Sequence, residues 1–408
     1  MDTSNGLQRM RLTLVTWGHF VNDCYIGFFT PVLPLLIEKL ALSLTAASGL
    51  AAIPSIASSV FQPLYGMASD RIRGRFFILL GPLLSIIGMG LIGVAPNAMW
   101  LGFLLLLAGI GAAAFHPQAV AAAGTVSGHR KGLGISVFIF GGSLGFALGP
   151  LVIIGMIQLV GLERSWYIVL PGILSVGLLA LALRIPTEVT DRKQMPSLIA
   201  AFQGTYTPMA LLFTIAVIRE FTRLAVVTFL PIFLSRQGHS LMAGGVTLAL
   251  FSLAGAVGGM VGGSLSDTWG RKAVIITSGV VCVPLLYGMF HSNGLLALTL
   301  LSFAAATLSG ANATVIAFAQ ELVPARAGTA SSLVMGLGWG VAGLMLIGFG
   351  RLADGLGVVP ALDLVVLLPL LTVGCAIALP QEAPVQRSQV EPGPVATAPG
   401  LDAGSSPA

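Results

Sequence analysis

The chain has 408 residues, of which 56% are hydrophobic and 9% are charged. Soluble globular proteins carry about 25% charged residues, so this composition excludes a cytosolic enzyme, a disordered protein and a nucleic-acid-binding domain. We attribute the net charge of +5 to basic residues in the loops between membrane helices.

Twelve apolar runs follow one another along the chain. A membrane-spanning helix needs about 20 mostly apolar residues, and these runs are too long for the strands of a membrane barrel. The first run is also too long for the apolar part of a signal peptide, so we expect it to be a retained span. The predicted spans are 12–37, 45–66, 76–96, 98–125, 132–160, 165–184, 208–234, 241–265, 273–292, 295–319, 327–352 and 357–380.

Lysine and arginine are distributed unevenly between the two sides of these spans. With the N-terminus in the cytoplasm, 14 of the 20 basic residues lie inside and 4 lie outside, while Arg219 and Arg223 lie within the seventh span. Basic residues concentrate in cytoplasmic loops. The sequence therefore predicts that both termini are cytoplasmic.

The spans divide into two sets of six. We predict an N-terminal six-helix half at 1–184, a cytoplasmic linker at 185–207 and a C-terminal six-helix half at 208–380. Residues 381–408 are rich in Pro, Gly, Ala and Ser, which predicts a disordered cytoplasmic tail. The predicted fold class is an all-α membrane protein with twelve transmembrane helices in two pseudo-symmetric halves.

Landmarks in the two halves repeat at nearly one offset. Asp70 and Asp267 are 197 positions apart, and the same offset pairs Asp23 with Glu220. Two halves of like orientation around a central site are a known transporter architecture. We therefore predict alternating access, in which the halves rock about a cavity near the middle of the membrane.

Two loop motifs carry a family resemblance. The segment GSLSDTWGRK at 263–272 resembles the loop signature of the major facilitator superfamily, and GMASDRIRGR at 66–75 is its counterpart in the first half. The resemblance implies that these charges lock the halves in the outward-facing state, whereas the alternative is that they only determine topology. The predicted gating residues are Asp70, Arg71, Arg75, Asp267 and Arg271.

Within that superfamily the chain resembles the fosmidomycin-resistance group of drug exporters. The motifs are GHFVND at 18–23, FHP at 115–117, GGSLGFALGP at 141–150 and AQELVP at 319–324. The resemblance implies a proton-coupled antiporter of the bacterial inner membrane that exports small drug-like or anionic compounds such as fosmidomycin. Gln118 stands where we expect the group to carry an acid.

Ionisable residues inside a span are costly unless they are paired or face water. His19 and Asp23 are four residues apart and share a helical face, with Asn22 beside them. A carboxylate in a poorly hydrated cavity can take up a proton on one side and release it on the other, and an imidazole can tune that step. We predict Asp23 as the proton site, His19 as its partner and Glu220 as the second choice. The alternative role of Asp23 is a fixed hydrogen-bond acceptor between helices.

The seventh span carries Arg219, Glu220 and Arg223. Two guanidinium groups one turn apart suit a phosphonate, phosphate or carboxylate, so we predict that both arginines bind the substrate's anionic group. Buried charges also neutralise one another, so the alternative is pairing with Asp23 across the halves or with Glu220 locally. The other candidate substrate-binding residues are Asn22, Tyr25, His116, Gln118 and Gln320.

His116 precedes Pro117 in the fourth predicted span, where proline removes a helical hydrogen bond and kinks the helix. His116 can line the cavity at this kink and bind substrate or a proton. Its alternative role is a structural donor to the freed carbonyl.

Other chemistries leave no pattern in the sequence. There is no phosphate-binding loop, zinc motif or cysteine framework, so we expect no enzyme activity, no cofactor and no metal. The expected partners are a small-molecule substrate, protons and the lipid bilayer, with no nucleic acid, and the resemblance implies a monomer. The alternatives are a transporter of a natural metabolite (a sugar, an organic acid or a lipid-like amphiphile) by symport, uniport or exchange, and a transporter-derived sensor.

Overall fold

The computed structural model describes residues 3–69, 75–127, 131–183 and 202–380, which are almost entirely helical and contain no strand. Eleven segments of this part of the chain are long and apolar enough to cross a membrane. A twelfth helix, Tyr206–Arg236, has 31 residues but carries three charges near its middle. The predicted all-α fold with twelve membrane helices is therefore confirmed.

The twelve spans are numbered here in chain order, and some of them consist of two helices joined by a turn. They are span 1 (Thr3–Ile26 and Phe29–Leu40), span 2 (Leu44–Ser69), span 3 (Phe76–Gly90), span 4 (Ala98–Val126), span 5 (Lys131–Val160), span 6 (Val169–Ala182), span 7 (Tyr206–Arg236), span 8 (Leu241–Trp269), span 9 (Arg271–Phe290), span 10 (Gly294–Gly310 and Asn312–Leu322), span 11 (Ala327–Ser332, Leu333–Leu337 and Gly338–Leu356) and span 12 (Val358–Val365 and Pro369–Ala378).

The observed bounds lie within a few residues of the predicted ones over most of the chain. Span 7 begins at Tyr206, two residues before its predicted start. Most of the predicted linker and the predicted tail lie outside the described residues, so the domain boundaries remain a prediction.

The internal repeat has a counterpart in side-chain contacts. Arg75, a predicted gating residue at the start of span 3, donates to the carbonyl oxygen of Ala180 at the end of span 6. Lys272, at the start of span 9, donates to the carbonyl oxygen of Ile377 at the end of span 12, at 3.0 Å. Both pairs are related by the offset of 197, and both place a cation at the carbonyl end of the last helix of a half.

The halves meet along two seams, one between spans 2 and 11 and one between spans 5 and 8. Small residues permit the close approach. A methyl group on Gly340 would lie 2.9 Å from the Cβ of Ser59, and one on Gly350 would lie 2.5 Å from the Oγ of Ser48. We call the end of the bundle at which span 1 ends and span 2 begins the far end.

Candidate functional site

Asp23 of span 1 lies between two imidazole rings. Its Oδ2 is 3.2 Å from the Nε2 of His19, and its Oδ1 is 3.2 Å from the Nε2 of His116 on span 4. The exposed fractions of the side chains are 8% for His19, 17% for Asp23 and 33% for His116. The cluster is therefore shielded at His19 and open to its surroundings through His116.

Backbone carbonyls determine which ring nitrogens carry hydrogen. The Nδ1 of His19 is 2.8 Å from the carbonyl oxygen of Phe138, and the Nδ1 of His116 is 2.8 Å from that of Ala112. Because a carbonyl oxygen only accepts, we infer that each Nδ1 carries a hydrogen, which leaves a lone pair on Nε2 of a neutral ring. Each Nε2–carboxylate contact is then a hydrogen bond only when an additional proton lies on it.

His116 contacts Asp23 but does not make the predicted bond to the carbonyl freed by proline, because Pro117 frees the carbonyl of Ala113 and His116 bonds to that of Ala112. One ring nitrogen bonds to the Ala112 carbonyl of its own helix, and the other reaches Asp23. The ligand atoms of His19, Asp23 and His116 lie within 4.8 Å of one another. A proton or a single small cation can therefore occupy the cluster.

Ser85 and Asn22 form a chain of hydrogen bonds that ends at the Asp23 carboxylate. Asn22 donates through Nδ2 to the Oδ1 of Asp23 at 2.9 Å, and the hydroxyl of Ser85 donates to the Oδ1 of Asn22 at 2.9 Å. Both side chains are fully buried. Sequence reasoning missed Ser85, although it is the one polar residue of the helix Phe76–Gly90.

Glycines of span 5 make room for span 1. A methyl group on Gly145 would lie 2.2 Å from the carbonyl oxygen of Phe20, so this part of span 5 packs directly on the backbone of span 1. A methyl group on Gly142 would lie 2.3 Å from the Nε2 of His19. The ring of Phe138 stacks on the His19 imidazole with their centroids 4.1 Å apart. Span 5 therefore fixes the position of His19.

The three charged residues of span 7 form two separate arrangements. Arg223 donates to the carboxylate of Glu220 through Nε at 2.9 Å and through Nη2 at 2.5 Å. Arg219 is only 2% exposed and donates through Nη2 to the carbonyl oxygen of Leu308 on span 10. Its Nε and Nη1 have no hydrogen-bond partner among the described residues. Arg223 is thus neutralised locally, whereas Arg219 is a buried cation with unused donors.

The remaining candidate substrate-binding residues lie in different surroundings. Tyr25 is 6% exposed and its hydroxyl donates to the carbonyl oxygen of Ile168. Gln320 is exposed and donates to the Oγ of Ser331 at 2.8 Å. Gln118 is half-buried on span 4. Tyr25 and Gln320 are thus engaged in contacts that do not include Asp23 or Arg219.

The predicted gating residues that the structure describes bond within their own halves. Arg271 donates through Nη1 to the Oδ1 of Asp267 at 2.6 Å and through Nη2 to the Oε1 of Glu321 at 2.9 Å. All three residues belong to the C-terminal half, and sequence reasoning had missed Glu321 as a partner. Asp70 and Arg71 lie outside the described residues.

The sequence profile of the Major Facilitator Superfamily matches residues 15–379. The chain belongs to this superfamily. The fosmidomycin resistance protein of Escherichia coli is 27% identical over 88% of this chain and 90% of its own length. The MFS-type transporter YfnC of Bacillus subtilis is 24% identical over 91% and 93%. The resemblance predicted from the sequence motifs is thereby confirmed.

Solved structures of superfamily transporters share the fold. A bacterial homologue of the human lysosomal transporter Spinster, in an inward-facing and unoccupied conformation, has a TM-score of 0.76 at 18% identity and covers 91% of this chain and 96% of its own. The nucleoside transporter NupG has a TM-score of 0.72 at 14% identity, with 91% and 100% covered. The chain is a multi-pass membrane transporter of the superfamily, with drug efflux proteins among its relatives.

Proposed function

We propose that this transporter is a proton-coupled antiporter that exports small drug-like or anionic compounds, including fosmidomycin, across the bacterial inner membrane. In this proposal both termini are cytoplasmic, and the protein acts as a monomer in the lipid bilayer with protons as the coupling ion. The observation that carries the proposal is the position of Asp23 between two imidazoles whose other nitrogens face carbonyl oxygens.

The hydrogen bonds of this cluster are incomplete unless it takes up a proton, and this supports coupling to protons. Without an added proton, the lone pairs of His19 and His116 face a carboxylate that can only accept. Histidine is the side chain best suited to gaining and losing a proton under physiological conditions, which supports the cluster as the proton site. The first helix of span 1 ends at Ile26, one turn after Asp23, which puts the cluster beside a break that can move during rocking.

The C-terminal half carries a positive charge that, in contrast to the cluster, does not depend on a proton. Glu220 and Arg223 cancel each other in a bidentate pair, and Arg219 remains as an uncancelled cation in a buried place. A guanidinium with two free donor groups can bind a phosphonate or carboxylate oxygen. Because Glu220 already has a permanently charged partner, Asp23 is the better candidate for the proton site.

The substrate class rests on Arg219 together with the relatives. Fosmidomycin is a phosphonate, and a relative from Escherichia coli is named as a fosmidomycin resistance protein. Relatives named multi-drug resistance efflux pump PmrA, from Streptococcus pneumoniae, are 23% identical over 65% of this chain. A proton that leaves the cluster as the anion binds, and returns as it departs, would give exchange of the two.

The experiment is fosmidomycin efflux from a bacterial strain that lacks its own drug pumps. We expect efflux that disappears when the proton gradient is collapsed and when Asp23 is replaced by Asn. Glu163→Gln is the matched control, because Glu163 forms an ion pair with Lys39 (Nζ to Oε1, 2.6 Å) that does not involve the cluster. Efflux by this control variant should equal that of the unchanged protein.

Absence of efflux, with the protein present in the membrane, would contradict the substrate and favour a natural metabolite. Efflux that persists without a proton gradient but requires a metal cation would contradict proton coupling. Binding of the compound without any net flux in liposomes would favour a sensor.

A further inference from the structure

One carboxylate joins the two halves at the far end of the bundle. Asp354, near the end of span 11, accepts hydrogen bonds from the backbone N–H groups of Leu44 and Thr45, each at 2.9 Å. It also accepts a hydrogen bond from the Oγ1 of Thr45 at 2.6 Å. Three donors of span 2 in the N-terminal half therefore converge on one side chain of the C-terminal half.

This contact is favourable for reasons specific to a helix start. The first N–H groups of a helix have no partner inside the helix, and the helix dipole favours a negative charge there. Hydrogen bonds to an ionised group are about twice as strong as neutral ones. Ser43 bonds to the N–H of Ala46 at 3.1 Å, so Asp354 satisfies donors that the local cap leaves open.

The equivalent place on the other seam has no such group. Span 8 begins at Leu241, 197 positions after Leu44, and Ser240 bonds to the N–H of Ala243 at 3.2 Å as Ser43 does to Ala46. The positions 197 and 196 before Asp354 hold Ile157 and Gln158.

Apolar packing replaces the carboxylate on that seam. A methyl group on Gly245 of span 8 would lie 2.3 Å from the Cδ1 of Ile154 on span 5. Among the described residues, the repeat thus preserves the local serine cap in both halves but places a bridging acid at the far end of one seam and not of the other.

We propose that Asp354 is a gating residue that latches the far end of the seam between spans 2 and 11, and that each transport cycle breaks this latch. The Asp354 side chain is exposed, so opening the far end costs the three hydrogen bonds to it when the two spans separate. The latch therefore favours the conformation that is closed at the far end. It goes beyond the proposed function, because it requires neither a particular substrate nor a coupling ion.

The test measures the opening of the far end directly. Spin labels are attached through Met99→Cys at the start of span 4 and Leu295→Cys at the start of span 10, in the full chain with its own three cysteines replaced. These positions are 79% and 81% exposed and belong to different halves at the far end. Distance distributions are recorded by double electron–electron resonance in lipid nanodiscs without substrate or gradient.

We expect Asp354→Ala to raise the ratio of the long-distance to the short-distance population about ten-fold, which corresponds to about 1.4 kcal/mol. Asp354→Asn, which keeps one acceptor but loses the charge, should give a smaller rise. Thr45→Val, which removes only the hydroxyl donor, should give the smallest. Glu163→Ala is the matched control, since it removes a far-end ion pair with Lys39 that lies within one half.

Unchanged distributions in Asp354→Asn and Thr45→Val would overturn the latch even if Asp354→Ala did not reach the membrane. An equal shift in Glu163→Ala would also overturn it, because any lost far-end charge would then suffice. A shift confined to Asp354 and Thr45 supports the latch whatever the efflux experiment shows, so the two proposals can fail separately.

Discussion

Spans 1 and 7 occupy equivalent places in the two halves, yet their acidic residues have different partners. Asp23 is flanked by two histidines, whereas its repeat partner Glu220 is held by an arginine. Histidine changes charge near neutral pH and arginine does not. In the proposed function, the N-terminal half therefore carries the charge that varies and the C-terminal half carries the charge that stays fixed.

The largest expected effect comes from removing the variable charge. Asp23→Asn should lower gradient-driven efflux at least about a hundred-fold, because proton transfer by a positioned group contributes factors of about 10²–10⁴ where it limits a step. Exchange of labelled for unlabelled substrate in liposomes should continue, since it needs no net proton movement. Loss of both activities together would mean that Asp23 has a structural role instead.

A smaller effect is expected from breaking the pair in span 7. Glu220→Gln leaves Arg223 without its carboxylate, and breaking a buried pair costs about 3–5 kcal/mol. Because the Arg223 side chain is 28% exposed, we expect about 2 kcal/mol, seen as a lower midpoint of thermal unfolding in detergent. The double variant Glu220→Gln with Arg223→Gln should recover most of the loss. Equal destabilisation in single and double variants would show that the residues act independently.

Arg219→Met tests the fixed charge. We expect binding of an anionic substrate to weaken about ten-fold or more, because a hydrogen bond to a charged group contributes about 1.5–3 kcal/mol. A neutral compound of similar size is the control ligand, and its affinity should be unchanged. Titration calorimetry measures the affinity for both ligands. An equal loss of affinity for the two would contradict a role of Arg219 in anion binding.

The smallest effect is expected from Gly142→Ala, which acts on the cluster indirectly. The added methyl group displaces the His19 ring, so we expect a several-fold lower efflux rate and a shifted pH profile. Gly155→Ala is the matched control in the same span, because its methyl group would meet nothing within 4 Å. An identical pH profile in the two variants would show that the position of His19 is unimportant.

Local patterns in the sequence predicted a large part of this protein. Apolar runs predicted the twelve spans, and a constant offset predicted the repeat that reappears in the contacts of Arg75 and Lys272. The pairing of His19 with Asp23 was also predictable, because residues four apart on one helix are neighbours. Each of these features depends on composition, spacing or helix geometry alone.

Contacts between helices required the tertiary structure. Neither the approach of His116 to Asp23 nor that of Ser85 to Asn22 follows from spacing, because they depend on how separate helices rotate and pack. The sequence left open whether Arg223 or Arg219 pairs with Glu220, and the tertiary structure separated the two. It also placed Asp354 on the first turn of span 2, 310 residues away from Leu44. The sequence by itself determined where the helices lie along the chain and where their charges fall. Only the packing of helices decided which of those charges meet, since such contacts depend on distances that no local pattern encodes.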